Sequence, residues 1–141
     1  MTLDPKKMRE LVLLFLFSLD TGTPPSDDLV AMVRKECKVS RKYACEAFEQ
    51  AQKIMQEKDA LDKLLSELSS EYRIERLGSV ERSVARLALF ELQEGLTPKI
   101  AISEAKRLTK KFATEQATTF VHGLLSAACD RLDIKEENLL P

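Results

Sequence analysis

The chain has 141 residues, 44% hydrophobic and 32% charged, so it can bury one continuous core but has little room for a separate catalytic domain. Its 22 Lys and Arg against 23 Asp and Glu give a net charge of -1, which excludes a long-range electrostatic pull toward phosphate. With only 4 Gly and no Trp, the composition favours helices, and we expect no sheet.

The N-terminal segment predicts two helices. The first spans about residues 5–19 and is apolar on nearly all sides, which is typical of a helix at the centre of a bundle. Pro5 suits its first turn, where a missing N–H costs nothing. The stretch at residues 21–25 breaks this helix, and Ser26 then caps a second helix that ends near Cys37.

Two further helices follow before the middle of the chain. Ser40 can cap the third helix and Asp59 the fourth. The expected core positions of these two helices are Ala44, Ala47, Phe48, Ala51, Met55, Leu61, Leu64, Leu65 and Leu68. A boundary between two helical subdomains is expected near residues 56–59 or 77–79. We adopt the first, which gives subdomains of about 1–57 and 58–135 in a single domain of 141 residues.

The C-terminal part predicts three helices. Gly78 and Ser79 form a helix stop and a new cap, Thr97 and Pro98 begin the sixth helix, and Thr114 precedes the seventh. The fifth helix is expected to direct inward Val80, Val84, Leu87, Ala88 and Leu92, and outward Glu81, Arg82, Arg86 and Gln93. The last two helices are expected to bury Ile102, Ala105, Leu108, Phe112, Phe120, Val121, Leu124, Leu125, Ala128 and Leu132. The predicted fold is all-α, a compact bundle of about seven helices.

Residues suited to catalysis or metal binding are scarce. His122 is the single histidine and the three cysteines are widely spaced, so we predict reduced, mostly structural thiols and no metal site. Cys129 lies about two helical turns from His122, too far for a direct hydrogen bond. We therefore expect no catalytic residues and no cofactor. The apolar run at residues 11–17 is too short to span a bilayer, so we expect a cytoplasmic protein without membrane contact.

Two basic clusters are candidate nucleic-acid contacts. One comprises Lys6, Lys7 and Arg9, and the other is on the sixth helix, at Lys99, Lys106, Arg107, Lys110 and Lys111. Phe112 and Phe120 bracket a polar segment beside His122, and bases of single-stranded RNA stack on exposed rings. The alternative, in which the lysines form an ordinary solvated face and the rings belong to the core, stays open.

The sequence resembles a known family over much of its C-terminal part. Residues 74–92, IERLGSVERSVARLALFEL, are similar to the fifth-helix signature of NusB transcription antitermination factors. Residues 98–105, PKIAISEA, resemble a family motif that ends in Ala-Ile-Asn-Glu-Ala. Residues 110–112, KKF, and 120–125, FVHGLL, resemble two further family motifs. Together these matches cover residues 74–125 at the expected separations.

The resemblance implies an all-helical fold of two subdomains packed side by side. Members of the family bind the box A segment of nascent RNA, usually as a heterodimer with the ribosomal protein NusE. They join the RNA polymerase elongation complex with other Nus factors and suppress premature termination, chiefly in ribosomal RNA operons. No reaction is catalysed and no cofactor is used.

The resemblance also assigns residues. The positions that it places in the RNA-binding region are Lys6, Lys7, Arg9, Phe17, Lys110, Lys111, Phe112, Phe120 and His122. Those that it associates with the ribosomal-protein partner are Glu75, Arg76, Glu81, Arg82 and Arg86. As an alternative, these five side chains form a solvated helix face with local ion pairs.

The chain departs from the family pattern at three places. Ser103 and His122 stand where the family motifs have Asn, and the N-terminal run of arginines is reduced to Lys-Lys-Met-Arg at residues 6–9. Lys cannot grip a phosphate bidentately as Arg can, so we expect weak RNA binding without the partner. The runner-up interpretation is a purely protein-binding helical adaptor with weak RNA affinity. An enzyme accessory is disfavoured because the 141 residues contain no methyltransferase domain or catalytic-cysteine motif.

Overall fold

The computed structural model describes residues 3–68 and 77–134, which form seven helices and no strand. The helices are α1 (Pro5–Asp20), α2 (Asp27–Cys37), α3 (Arg41–Gln56), α4 (Lys58–Leu68), α5 (Ser79–Gln93), α6 (Pro98–Phe112) and α7 (Glu115–Arg131). The all-α prediction is confirmed. The chain divides into two compact units, Met1–Gln56 with α1 to α3 and Glu57–Pro141 with α4 to α7. None of the helices described is long and apolar enough to cross a membrane.

Side-chain caps begin four of the described helices, and the sequence predicts two of them, at Ser26 and Ser40. The backbone N–H of Leu29 donates to Ser26 Oγ at 3.2 Å, and that of Tyr43 donates to Ser40 Oγ at 3.3 Å. Thr114 Oγ1 accepts from the N–H of Ala117 at 3.1 Å and begins α7 in the same way. Each cap satisfies a backbone donor that has no partner within its own helix.

In the first unit, the large side chains of α1 pack on a row of small residues of α3. The fully buried residues of α1 are Leu11, Val12, Leu13, Phe15 and Leu16, and those of α3 are Ala44, Ala47, Ala51 and Ile54. The Phe15 ring lies 5.2 Å from that of Phe48, centroid to centroid. Ile54 completes the buried face in place of the predicted Met55. It follows Ala47 by seven positions and Ala51 by three, a spacing that puts its side chain in line with these alanines along one side of α3.

In the second unit, α5 is the central helix and packs against α4, α6 and α7. Every residue from position 83 to position 90 is buried. This includes Arg86, which is 4% exposed, so its expected outward orientation is wrong. Its guanidinium reaches the carboxylate of Asp62 on α4, which compensates the buried charge. Glu81 and Arg82 are half-buried, and Gln93 is exposed.

Some predicted helix starts and core positions also differ. Asp59 lies inside the first turn of α4, and Gly78, not Ser79, is the N-cap of α5. The positions expected in the core but only half-buried are Phe48, Leu64, Leu68, Val80, Ile102, Phe112, Phe120 and Leu132. In α6 the buried face instead includes Ala101, Glu104 and Thr109. Glu104 can be buried because Arg107 binds its carboxylate at 2.8 and 3.2 Å.

Candidate nucleic-acid interface

An open cavity of about 360 Å³ lies between α6 and α7. Its lining residues are Lys99, Ile102, Ser103, Lys106 and His122. The first four recur three, four and seven positions apart, which places them on one side of α6, and α7 contributes His122. The lining thus combines two ammonium groups, a hydroxyl, an imidazole and an apolar side chain, and it contains no carboxylate. Such a set suits an anion that also carries an apolar or aromatic part.

The end of α6 carries the predicted cluster of Lys110, Lys111 and Phe112. Both lysines are exposed and lie in the last helical turn, where cations are favourable. Lys111 Nζ is 5.5 Å from the centroid of the Phe112 ring, within the range of a cation–π contact. Lys110 Nζ is 3.8 Å from Glu115 Oε1, and because both side chains are largely exposed the pair is weak. The cluster is therefore accessible to an external anion.

The structure separates two predicted RNA contacts on α7. Phe120 is half-buried and His122 is exposed. Residues two positions apart on a helix differ by about 200° in direction around its axis, so the side chains of Phe120 and His122 leave α7 on different sides. His122 meets Lys99 and Lys106 in the cavity, whereas Phe120 does not line it.

In the first unit, the remaining predicted RNA contacts lie on α1. Lys6 is exposed, and Lys7 and Arg9 are half-buried. Lys6 and Lys7 lie at the positive end of the helix, where the carboxylate of the N-cap residue Asp4 accepts from the N–H of Lys6 at 3.0 Å and supplies a negative charge. Phe17 is 38% exposed and lies three turns beyond Lys6 on the same side of α1. Lys6 and Phe17 therefore present a cation and a ring on one exposed side of α1.

The predicted partner residues cluster at the start of α5. The Glu81 carboxylate folds back over Gly78 and occupies the space that a side chain at that glycine would take. Arg82 Nη1 donates to the carbonyl oxygen of Leu77 at 3.2 Å. Both side chains therefore help to fix the start of the helix. Glu75 and Arg76 lie outside the described residues.

Arg86 has a different position from its predicted neighbours. Its Nε and Nη2 donate to the two carboxylate oxygens of Asp62, each at 2.8 Å. The side chain is buried and links α5 to α4. We therefore remove Arg86 from the candidate partner surface, on which Glu81 and Arg82 remain.

The family resemblance places none of Lys99, Ser103 and Lys106 in the RNA-binding region, although Lys99 and Lys106 belong to the basic cluster predicted on the sixth helix. Lys99 and Lys106 share a helix side in the sequence, and Ser103 departs from the family motif. Neither signal indicates a cavity by itself, because the cavity exists only where α7 brings His122 against α6.

The three cysteines form no disulfide, and no group of potential metal ligands occurs among residues 3–68 and 77–134. Cys129 is buried, whereas Cys37 and Cys45 are half-buried. Burial raises the pKa of the Cys37 thiol, and Glu36 and Glu10 raise it further, while Lys7 lowers it. A raised pKa leaves Cys37 less reactive than an ordinary thiol at neutral pH.

A family model described as the NusB family matches residues 6–130. The transcription antitermination protein NusB of Desulfosudis oleivorans is 32% identical over 139 residues, covering 95% of this chain and 90% of that protein. The namesake from Chlamydia pneumoniae is 31% identical over 136 residues, covering 95% of this chain and 85% of that protein.

Two solved structures share the fold. T. maritima NusB has a TM-score of 0.75 at 26% identity, covering 92% of this chain and 93% of that one. A chain in the crystal structure of a plectonemic RNA supercoil has a TM-score of 0.78 at 26% identity, covering 91% of this chain and 95% of that one.

Proposed function

This chain belongs to the NusB family of transcription antitermination proteins, and we propose that it binds box A RNA together with the ribosomal protein NusE. In this proposal the complex joins the RNA polymerase elongation complex with other Nus factors and suppresses premature termination, chiefly in ribosomal RNA operons. The protein acts by binding alone, without a reaction or a cofactor. It works in the cytoplasm, where bacterial transcription takes place.

The observation that best supports RNA binding is the concentration of cations along α6. Lys99, Lys106 and Lys110 lie on one side of this helix, and Lys111 and the edge of Phe112 lie at its end. Cations bind the phosphates of a single strand, and partly exposed rings give its bases a surface on which to stack. Although the net charge of the chain is -1, this local surface is strongly basic.

We assign the protein-partner contact to the start of α5, where Glu81 and Arg82 are half-buried at the surface of the second unit. These two charges are already held by local contacts with Gly78 and Leu77. A partner that bound here would therefore lose little side-chain entropy in ordering them. Glu75 and Arg76, which belong to the same predicted set, lie outside the described residues.

A second candidate function is a purely protein-binding adaptor of the transcription or ribosome-assembly machinery. The balanced charge and the short N-terminal cluster at residues 6–9 favour it. Each phosphate neutralised on single-stranded nucleic acid contributes about -0.7 to the slope of log affinity against log salt, so a few cations give modest affinity. The adaptor function predicts NusE binding without useful RNA binding.

The two functions are separated by a salt-titrated binding assay with labelled box A RNA and a scrambled sequence, each with and without NusE. We expect weak binding by the protein alone, and tighter binding with a preference for box A when NusE is present. A protein that binds NusE but no RNA, even at low salt, would support the adaptor function instead.

A further inference from the structure

Lys99 and Lys106 line the cavity between α6 and α7, and both lie on one side of α6. From the sequence alone, the alternative that these lysines form an ordinary solvated helix face stays open. Lys99 and Lys106 are about 10.5 Å apart along the axis of α6, and Ser103 lies between them. A phosphate midway is within the combined reach of the two lysine side chains. The Ser103 hydroxyl can donate a hydrogen bond to the same group.

The nearest acidic residue on this helix does not cancel these charges. Glu104 is buried, and Arg107 binds both of its carboxylate oxygens, at 2.8 and 3.2 Å. The carboxylate is thus already compensated, and it does not line the cavity. The residues that line the cavity thus include two lysines and no carboxylate.

The size of the cavity and its other lining residues indicate which chemical group would bind beside the phosphate. A volume of about 360 Å³ is roughly twelve times the 30 Å³ that a water molecule occupies in the liquid. A phosphate alone would leave most of it empty. Ile102 and the exposed His122 ring supply an apolar and a flat aromatic wall, which suit a nucleobase. The cavity is open, so a strand can enter and leave it.

We propose that this cavity binds one nucleotide of single-stranded RNA, with its phosphate between Lys99 and Lys106 and its base against Ile102 and His122. The inference rests on the proposed RNA-binding function and adds a subsite to it. It also gives this chain phosphate contacts beyond the short N-terminal cluster at residues 6–9. Where the family motifs have two asparagines, this chain has Ser103 and His122, and both line the cavity.

The test measures binding of a labelled single-stranded RNA by fluorescence anisotropy across a salt series, in the presence of NusE. Lys99→Ala with Lys106→Ala removes both cations that bind the single phosphate, so the salt slope should become shallower by about 0.7. Affinity at 0.15 M salt should fall about fourfold, the change that this slope gives when extrapolated from 1 M. The matched control is Lys53→Ala with Lys63→Ala, which removes two exposed lysines elsewhere and should leave binding nearly unchanged.

A second variant tests the cavity without altering any lysine. Ser103→Ala with His122→Ala removes the hydroxyl donor and the aromatic wall, and it should weaken RNA binding while the salt slope stays as in the wild type. Thermal unfolding verifies that both double variants fold. If the lysine variant loses the fold, the variant with Ser103→Ala and His122→Ala decides the outcome.

The single histidine of the chain supplies a direct probe, because its ring gives one set of NMR signals. We expect the His122 signals to shift with the oligonucleotide at concentrations where inorganic phosphate has no effect. If inorganic phosphate binds as tightly as the oligonucleotide, or if both double variants bind RNA like the wild type, the subsite proposal is wrong. If the wild type binds no RNA at all, the proposed function itself fails.

Discussion

The buried guanidinium of Arg86 on α5 is held by the carboxylate of Asp62 on α4 through two hydrogen bonds of 2.8 Å. Arg86 is 4% exposed and Asp62 is 22% exposed, so little water screens the pair. The two residues are 24 positions apart in the chain. Their contact joins the central helix of the second unit to the helix that begins it.

We predict that Asp62→Ala destabilises the protein by about 3 kcal/mol, because it removes the carboxylate that compensates the buried Arg86 charge. Chemical denaturation measures the change. The matched control is Arg131→Ala, which removes an exposed pair between Arg131 and Glu67 at 2.9 Å and should cost less than about 1 kcal/mol. Equal losses of stability in the two variants would show that the buried pair of Asp62 and Arg86 stabilises the protein no more than an exposed pair does.

Glu81→Lys should weaken the complex with NusE while the protein stays folded. The change also places a cation at the positive end of α5, so the free energy of unfolding should fall by about 0.3–1 kcal/mol. Glu94→Lys is the matched control, because it makes the same charge change at the other end of the same helix, where a cation is favourable. Calorimetry with NusE gives the affinities. Unchanged affinity in Glu81→Lys would exclude this surface as the contact.

Replacing Lys6, Lys7 and Arg9 with Ala should weaken binding to box A and to scrambled RNA alike, since phosphate contacts carry no sequence information. The salt slope should become shallower by up to about 2.1, or about 0.7 for each contact. Changing Phe120 or His122 to Ala should instead reduce the preference for box A. The N-terminal contact would be refuted if the triple variant kept the wild-type salt slope.

The raised pKa of Cys37 predicts slow alkylation of this thiol in the folded protein. In a variant that lacks Cys45 and Cys129, the pH profile of iodoacetamide reaction should lie at higher pH in the folded than in the unfolded state. Lys7→Ala removes a cation that lowers this pKa, so it should displace the profile further upward. Lys35→Ala, an exposed change on α2, serves as the control.

The raised pKa of Cys37 also makes the stability of the folded protein depend on pH in a defined direction. Because the folded state disfavours the Cys37 thiolate, the stabilising contribution is present below the pKa of the unfolded thiol and is lost as the pH rises through the folded pKa. Identical alkylation profiles in the folded and unfolded states would contradict the assigned shift.

Helix boundaries were largely predictable from the sequence because their causes are local. Ser26, Ser40 and Thr114 each cap a helix through a backbone N–H three residues ahead. Gly95, with a φ of 103°, adopts the left-handed conformation that ends α5. Such signals need no knowledge of the tertiary structure.

The sequence-based predictions were wrong or incomplete where the position of a side chain depends on a residue that is distant in the sequence. A charge at position 86 is expected to face solvent, and only the position of Asp62 on another helix makes its burial favourable. The α6–α7 cavity escaped prediction for the same reason, since Ser103 and His122 meet only through the packing of two helices. Helical periodicity assigns faces to single helices but does not pair them.

Transcription antitermination by this protein is tested most directly by a reconstituted transcription assay. RNA polymerase would transcribe a template with box A upstream of a terminator, in the presence of NusE and the other Nus factors, with and without this protein. We predict increased read-through that requires an intact box A and is reduced in the Lys6, Lys7 and Arg9 variant. Read-through that does not change on addition of the folded protein, or that is equal with a scrambled box A, would contradict the account.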